Sequence, residues 1–102
     1  MTDRELLELA ARAAGYTALW NLDGLLVKEL GGRWNPLTDD GDALRLMAKL
    51  RLTVNCSYDE VAICGQEFTQ KDVFIEYNKE DANAATRRAI VRAAAAIGKE
   101  MK

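Results

Sequence analysis

Four groups of side chains in this sequence have types and spacings that could carry chemistry. The first is the acidic run Asp39, Asp40 and Asp42. Three carboxylates within four residues suit a hard cation such as calcium or magnesium, which takes oxygen ligands. The same residues also suit a helix start, where carboxylates cap free N–H groups and the helix dipole favours negative charge. The run Asp39-Asp40-Gly41-Asp42 lacks the distal glutamate of an EF-hand loop, so capping is the expected role and no metal is assigned.

The second group is Arg87, Arg88 and Arg92. Such a cluster could contact phosphates or an acidic protein surface, but the solvated side of an amphipathic helix is the expected reading. The third is aromatic: Tyr16, Trp20 and Trp34. Trp34 precedes a rigid Asn35-Pro36 step, which suits either a recognition surface or an anchor for the core. Trp34, Arg87, Arg88 and Arg92 together form the candidate interaction surface. The fourth group is Cys56 and Cys64, separated by seven residues. They read as reduced core thiols; adjacent strands would also permit a disulfide, and two cysteines so spaced do not make a zinc site.

What is missing narrows the chemistry further. The chain has no histidine. That removes the commonest general base, the Ser-His and Cys-His nucleophile pairs, and the commonest metal ligand. No phosphate-cradling loop is present, since Gly31-Gly32 leads into Arg33-Trp34-Asn35-Pro36 and not into a helix bearing lysine. No catalytic residue and no cofactor are assigned, and the chain is not expected to be an enzyme.

The elements that position these groups follow from hydrophobic periodicity. The 102 residues are expected to form one domain, with a hydrophobic share of 49% and a formal net charge of −2. Residues 1–50 carry six basic and eight acidic groups, and residues 51–102 carry eight of each. Neither half is basic enough for affinity dominated by phosphate neutralisation. No stretch approaches the ~20 apolar residues of a membrane span. The opening residues also lack the basic start and apolar run of a secretory signal. Cytosol is the expected location, with no membrane partner.

Thr2 and Glu5 predict a capping box, followed by Leu6, Leu9, Ala10 and Ala13 at helical spacing, with Leu7 and Ala14 widening the stripe. Gly15 suits the helix end. Asp23-Gly24 predicts a hairpin between strands at 16–22 and 25–30, with Gly31-Gly32 ending the unit and 33–38 a connector. A second helix is expected over 39–50, with Leu44, Met47 and Ala48 inward. Three strands at 52–57, 60–64 and 71–77 follow. The last helix begins near Glu80-Asp81 and presents Ala82, Ala85, Ala89, Ala93, Ala96 and Ile97 on one face, bordered by Ile90 and Met101. The expected class is α+β, in the order α-β-β-α-β-β-β-α, with about five antiparallel strands in a sheet packed with three helices.

Two stretches carry a resemblance. One is the run from Trp34-Asn35-Pro36 through Asp39-Asp40-Gly41-Asp42 to Leu46; the other is the alanine-rich stretch from Ala85 to Ala94. With the order of elements over roughly residues 2–98, they resemble the phage ABA-sandwich domain family. That resemblance implies an α-β-α layered fold in a small phage or prophage accessory protein acting in a bacterial host's cytoplasm. It supplies no catalytic residues. A non-catalytic protein-interaction module, binding a protein partner or itself, is therefore the expected function.

Residues 39–97 also follow the helix, three strands, helix order of double-stranded-RNA-binding domains, and 78–85 is similar to the start of their final helix. In that family the start is lysine-rich and grips phosphates. Here Glu80 and Asp81 replace most of that positive charge, so nucleic acid is the alternative partner and not the expected one.

Overall fold

The computed structural model describes residues 2–22, 24–56, 60–64, 74–77 and 81–101. Its elements are α1 (Asp3–Ala14), β1 (Ala18–Asn21), β2 (Gly24–Val27), β3 (Gly32–Arg33), α2 (Asp40–Leu50), β4 (Thr53–Cys56), β5 (Glu60–Cys64), β6 (Phe74–Tyr77) and α3 (Ala82–Glu100), with a short 3-10 turn at Lys28–Leu30. The described residues are thus α+β, with three α-helices and antiparallel strands.

Helix α1 starts on the predicted capping box. Glu5 N donates to Thr2 Oγ1 at 3.2 Å, and Thr2 N donates to Glu5 Oε1 at 3.3 Å. The helix stops at Gly15, whose φ of 75° is cheap only without a Cβ. At the start of α2 the Asp39 carboxylate accepts from Asp42 N at 3.1 Å, and at the start of α3 Asp81 accepts from Ala84 N at 2.9 Å. Both are N-caps of the acidic kind. The expected helix-start residues Asn78, Lys79 and Glu80 lie outside the described residues, as does Asp23 of the hairpin turn.

Among the described residues the strands form two sheets of three, in the orders β1-β2-β3 and β4-β5-β6, both antiparallel. The expected single sheet of about five strands is corrected in two ways. Gly32–Arg33, read as terminator and connector, is a strand paired with Leu26 and Val27. The 34–39 loop and α2 then carry the chain away, so β4 begins a separate sheet. The second strand is also shorter than the expected 25–30 run: it ends at Val27, and the 3-10 turn of Lys28–Leu30 follows.

Each sheet lies against a helix, and the helices also pack on one another. Helix α1 packs chiefly on α3, the β5 and β6 strands pack on α3, and the first sheet lies over the Leu7–Ala11 side of α1. Helices α1 and α3 approach closely at Gly98. A Cβ placed there would stand 1.9 Å from the backbone oxygen of Leu9. With neighbours on several sides, α3 buries Ala85, Ala89, Ile90, Val91, Ala93, Ala94, Ala95 and Gly98, a wider face than the single alanine stripe expected, while Ala82 and Met101 are exposed.

Helix α2 is rotated from its expected phase. Ala43 and Leu46 are buried with Asp42, and Leu44 is 59% exposed. Both phases satisfy an i, i+3, i+4 pattern through Met47, so periodicity alone does not choose between them. The choice is made by Asp42, held inward by its bonds to the preceding loop. Among the described residues, no helix is long and apolar enough to cross a membrane.

Candidate functional site

The three acids of the 39–42 run are each engaged by donors. Asp39 caps α2. Asp40 Oδ1 accepts from Arg87 Nη1 at 2.5 Å. Asp42 is buried, and its two oxygens accept from Asn35 N at 2.9 Å and Arg45 Nη2 at 2.6 Å. The bond to Asp42 holds the Arg45 guanidinium above its ordinary pKa. The run therefore closes the loop onto the helix, and among the described residues no group of three or more His, Cys, Asp and Glu side chains gathers as a metal site.

The arginines are placed as internal clasps. Arg87 Nε donates to Leu37 O at 2.8 Å while its Nη1 reaches Asp40, tying α3 to the loop before α2. Arg88 Nη2 donates to Asp3 Oδ1 at 3.1 Å, tying α3 to the start of α1. Arg92 is half-buried and also engaged. Of the expected basic surface at 87, 88 and 92, Arg87 and Arg88 are thus paired with acids of α2 and α1, and the Arg87 side chain is mostly buried.

The two clasps differ in weight. The Arg87 side chain is mostly buried and makes two charge-assisted bonds, whereas Arg88 and Asp3 are both well exposed. Arg87→Ala is expected to cost about 2 kcal/mol, because Leu37 O and Asp40 lose a cation donor. Arg88→Ala is expected to cost under about 1 kcal/mol, as for exposed pairs. Urea unfolding of both variants checks the ordering; equal midpoints would contradict it.

Trp34, a surface candidate from the sequence, is corrected to a core residue at 1% exposure. Its ring meets Tyr16 edge to face, 5.5 Å between centroids at 86°. Its Nε1 is buried and has no acceptor among the described residues. Burial also raises the Tyr16 phenol above its ordinary pKa. Trp20 lies half-buried beneath β1, its Nε1 donating to Glu8 Oε1 at 2.7 Å and its ring 4.6 Å from the Arg4 guanidinium carbon.

The two cysteines stand on adjacent strands, Cys56 opposite Val61 and Cys64 opposite Thr53. Three register positions, roughly 10 Å, separate them along the strands. A disulfide needs Cα atoms within about 7 Å. The pairing register therefore sets the two Cα atoms beyond that reach.

A surface that sequence reasoning missed is the outer face of the first sheet. The register aligns Leu19 with Leu26 and Leu26 with Arg33, so these three share one face. On the opposite face the rows are Ala18–Val27–Gly32 and Trp20–Leu25; there Leu25 and Val27 are buried, Trp20 and Gly32 are half-buried, and Ala18 at the β1 edge is exposed. Leu19 is 70% exposed, and Leu22 and Leu30 are exposed beyond the two ends of the hairpin. A shallow apolar groove runs between Leu19, Leu26, Lys28 and Gly31. The signal was present as leucines on both parities of the 25–30 run, which an alternating strand cannot bury on one face. Beside it, Glu29 accepts from Thr17 N at 2.7 Å and from Thr17 Oγ1 at 2.9 Å, and the backbone bond holds its carboxyl below the usual range.

This arrangement brings together apolar side chains, an exposed guanidinium and a strand edge. Comparison of the chain with protein-family models, with curated proteins and with solved structures finds no match in any of the three.

Proposed function

We propose that this chain is a non-catalytic protein-interaction module, of the kind a phage or prophage accessory protein would use in the cytoplasm of a bacterial host, and that its contact surface is the outer face of the first sheet. The observation that carries the reading is the Leu19–Leu26–Arg33 row, which lies on one face of the strands while Leu25 and Val27 on the opposite face are buried. Exposed leucines grouped beside a cation suit a partner surface better than they suit water. The phage setting rests on the Trp34–Leu46 motif and the alanine-rich helix. The test is differential capture from lysogenic bacterial cells. Immobilised wild-type chain should retain a specific protein that the Leu19→Asp variant does not. Equal retention by both, or turnover in a substrate screen, would overturn the reading.

One observation favours a second reading. The order α2-β4-β5-β6-α3, with β4-β5-β6 antiparallel and α3 against β5 and β6, is that of a double-stranded-RNA-binding core. Against it stand Arg87 and Arg88, already bound to Asp40 and Asp3. Gel shifts with duplex RNA at low salt separate the readings: a shift that weakens steeply with salt would favour this one.

A further inference from the structure

We infer that the occupant of the first sheet's exposed face is a second copy of this chain, joined edge to edge through β1. The inference rests on the contact surface proposed above and adds the identity of the partner and the register.

The backbone phase fixes which groups face outward. Lys28 N donates to Thr17 O at 3.0 Å, and Trp34 N donates to Leu25 O at 2.9 Å. In an antiparallel ladder these bonds alternate, so residues 17, 19 and 21 bond to β2. The N–H and C=O groups of Ala18 and Trp20 therefore point to the other edge of β1. Among the described residues that edge has no neighbouring strand.

Exposed edges are normally blunted by charge, proline or a bulge. The β3 edge is two residues long, carries Arg33 and runs into Trp34 and Pro36. The β1 edge, Ala18-Leu19-Trp20-Asn21, has no charge, no proline and no bulge in its register. It can pair with itself without placing like charges opposite each other.

Two-fold pairing centred on Leu19 satisfies both the backbone and the side chains. Ala18 of each copy faces Trp20 of the other, and each such pair exchanges two hydrogen bonds. Leu19 then meets Leu19 of the second copy at the non-hydrogen-bonded position, where side chains are closest. On the outer face the leucines of both sheets form one row, Leu26, Leu19, Leu19, Leu26, with Arg33 at each end. On the inner face the Trp20 indole lies beside the small Ala18 of the other chain. The two Arg33 residues are separated by five strand spacings, roughly 24 Å, well beyond the ~8 Å screening length. Charge therefore does not oppose the assembly. A strand of four residues makes a small interface, so the dimer is expected to be weak and concentration-dependent.

Sedimentation velocity of the full chain from about 10 μM to about 1 mM tests this, a range suited to a small interface. The wild type should pass from monomer to dimer. Leu19→Asp sets two carboxylates at the closest pair, and Ala18→Pro removes an outward N–H without touching the β2 ladder. Both should weaken dimerisation at least tenfold while keeping the wild-type circular dichroism. Leu44→Asp, at an exposed leucine on α2, should dimerise like the wild type. A wild type that stays monomeric throughout, or dimers indifferent to both β1 substitutions, or loss of dimer in Leu44→Asp, would overturn the inference. A monomeric wild type that still captures a foreign protein through Leu19 would leave the contact surface standing and remove only self-pairing.

Discussion

Gly98→Ala is expected to destabilise the protein by about 3 kcal/mol, the upper end of what overpacking costs. For a domain this size that corresponds to a fall in Tm of roughly 12–24 °C. The sign is informative because local and tertiary effects oppose each other. Alanine exceeds glycine in helix propensity by ~1 kcal/mol, and residue 98 lies within α3, so a helix considered alone predicts stabilisation. The added Cβ would stand 1.9 Å from Leu9 O and 2.8 Å from Leu9 C, both backbone atoms of α1. Neither atom can rotate away, so α1 and α3 must separate, and theirs is the most extensive helix–helix contact among the described residues. Gly41→Ala is the control. There the new Cβ would meet the Asp39 carboxylate at 3.2 Å and the Arg45 guanidinium at 3.3 Å, flexible side-chain ends that can shift. Its stability should stay within ~1 kcal/mol of the wild type. Thermal melts of the pair decide the matter: a Gly98→Ala protein melting at or above the wild-type temperature would mean that the helices do not meet there.

The second large effect is at Trp34. Truncation to alanine is expected to cost about 3–5 kcal/mol, the range for a fully buried aromatic. The ring fills space beneath the first sheet and gives Tyr16 its edge-to-face partner. Trp34→Phe should cost far less than Trp34→Ala. Among the described residues its Nε1 has no hydrogen bond to lose, and a buried donor without an acceptor is itself unfavourable by ~1–3 kcal/mol. The remaining cost is the smaller ring's packing. Urea midpoints measured on both variants check the comparison. Equal losses would show that Trp34 makes a bond through its nitrogen, and negligible loss in Trp34→Ala would place it outside the core.

What was legible from residues alone is what depends on near neighbours in the chain. The capping box at Thr2 and Glu5, the glycine stop at Gly15, the Asp39 cap and the three helices all rest on interactions spanning a few residues. So does the reading of Asp39 and Asp42 as helix-start acids, since capping geometry is local.

The site was less legible, because exposure is a property of the packed whole. Arg87 and Arg88 read as a basic surface until α3 meets the acids Asp40 and Asp3, which lie 47 and 85 residues away. Trp34 reads as an anchor for the core ahead of a binder, and its burial under the first sheet makes it the anchor. The phase of α2 has two periodic solutions, and the bond from Asn35 N to Asp42 selects one. Local chemistry in the sequence determined the helix caps and the class of fold. The tertiary structure alone decided that the strands divide into two sheets and that Leu19 faces outward. The reason is that long-range packing, which no nearby residue encodes, assigns each amphipathic segment the neighbour that covers it.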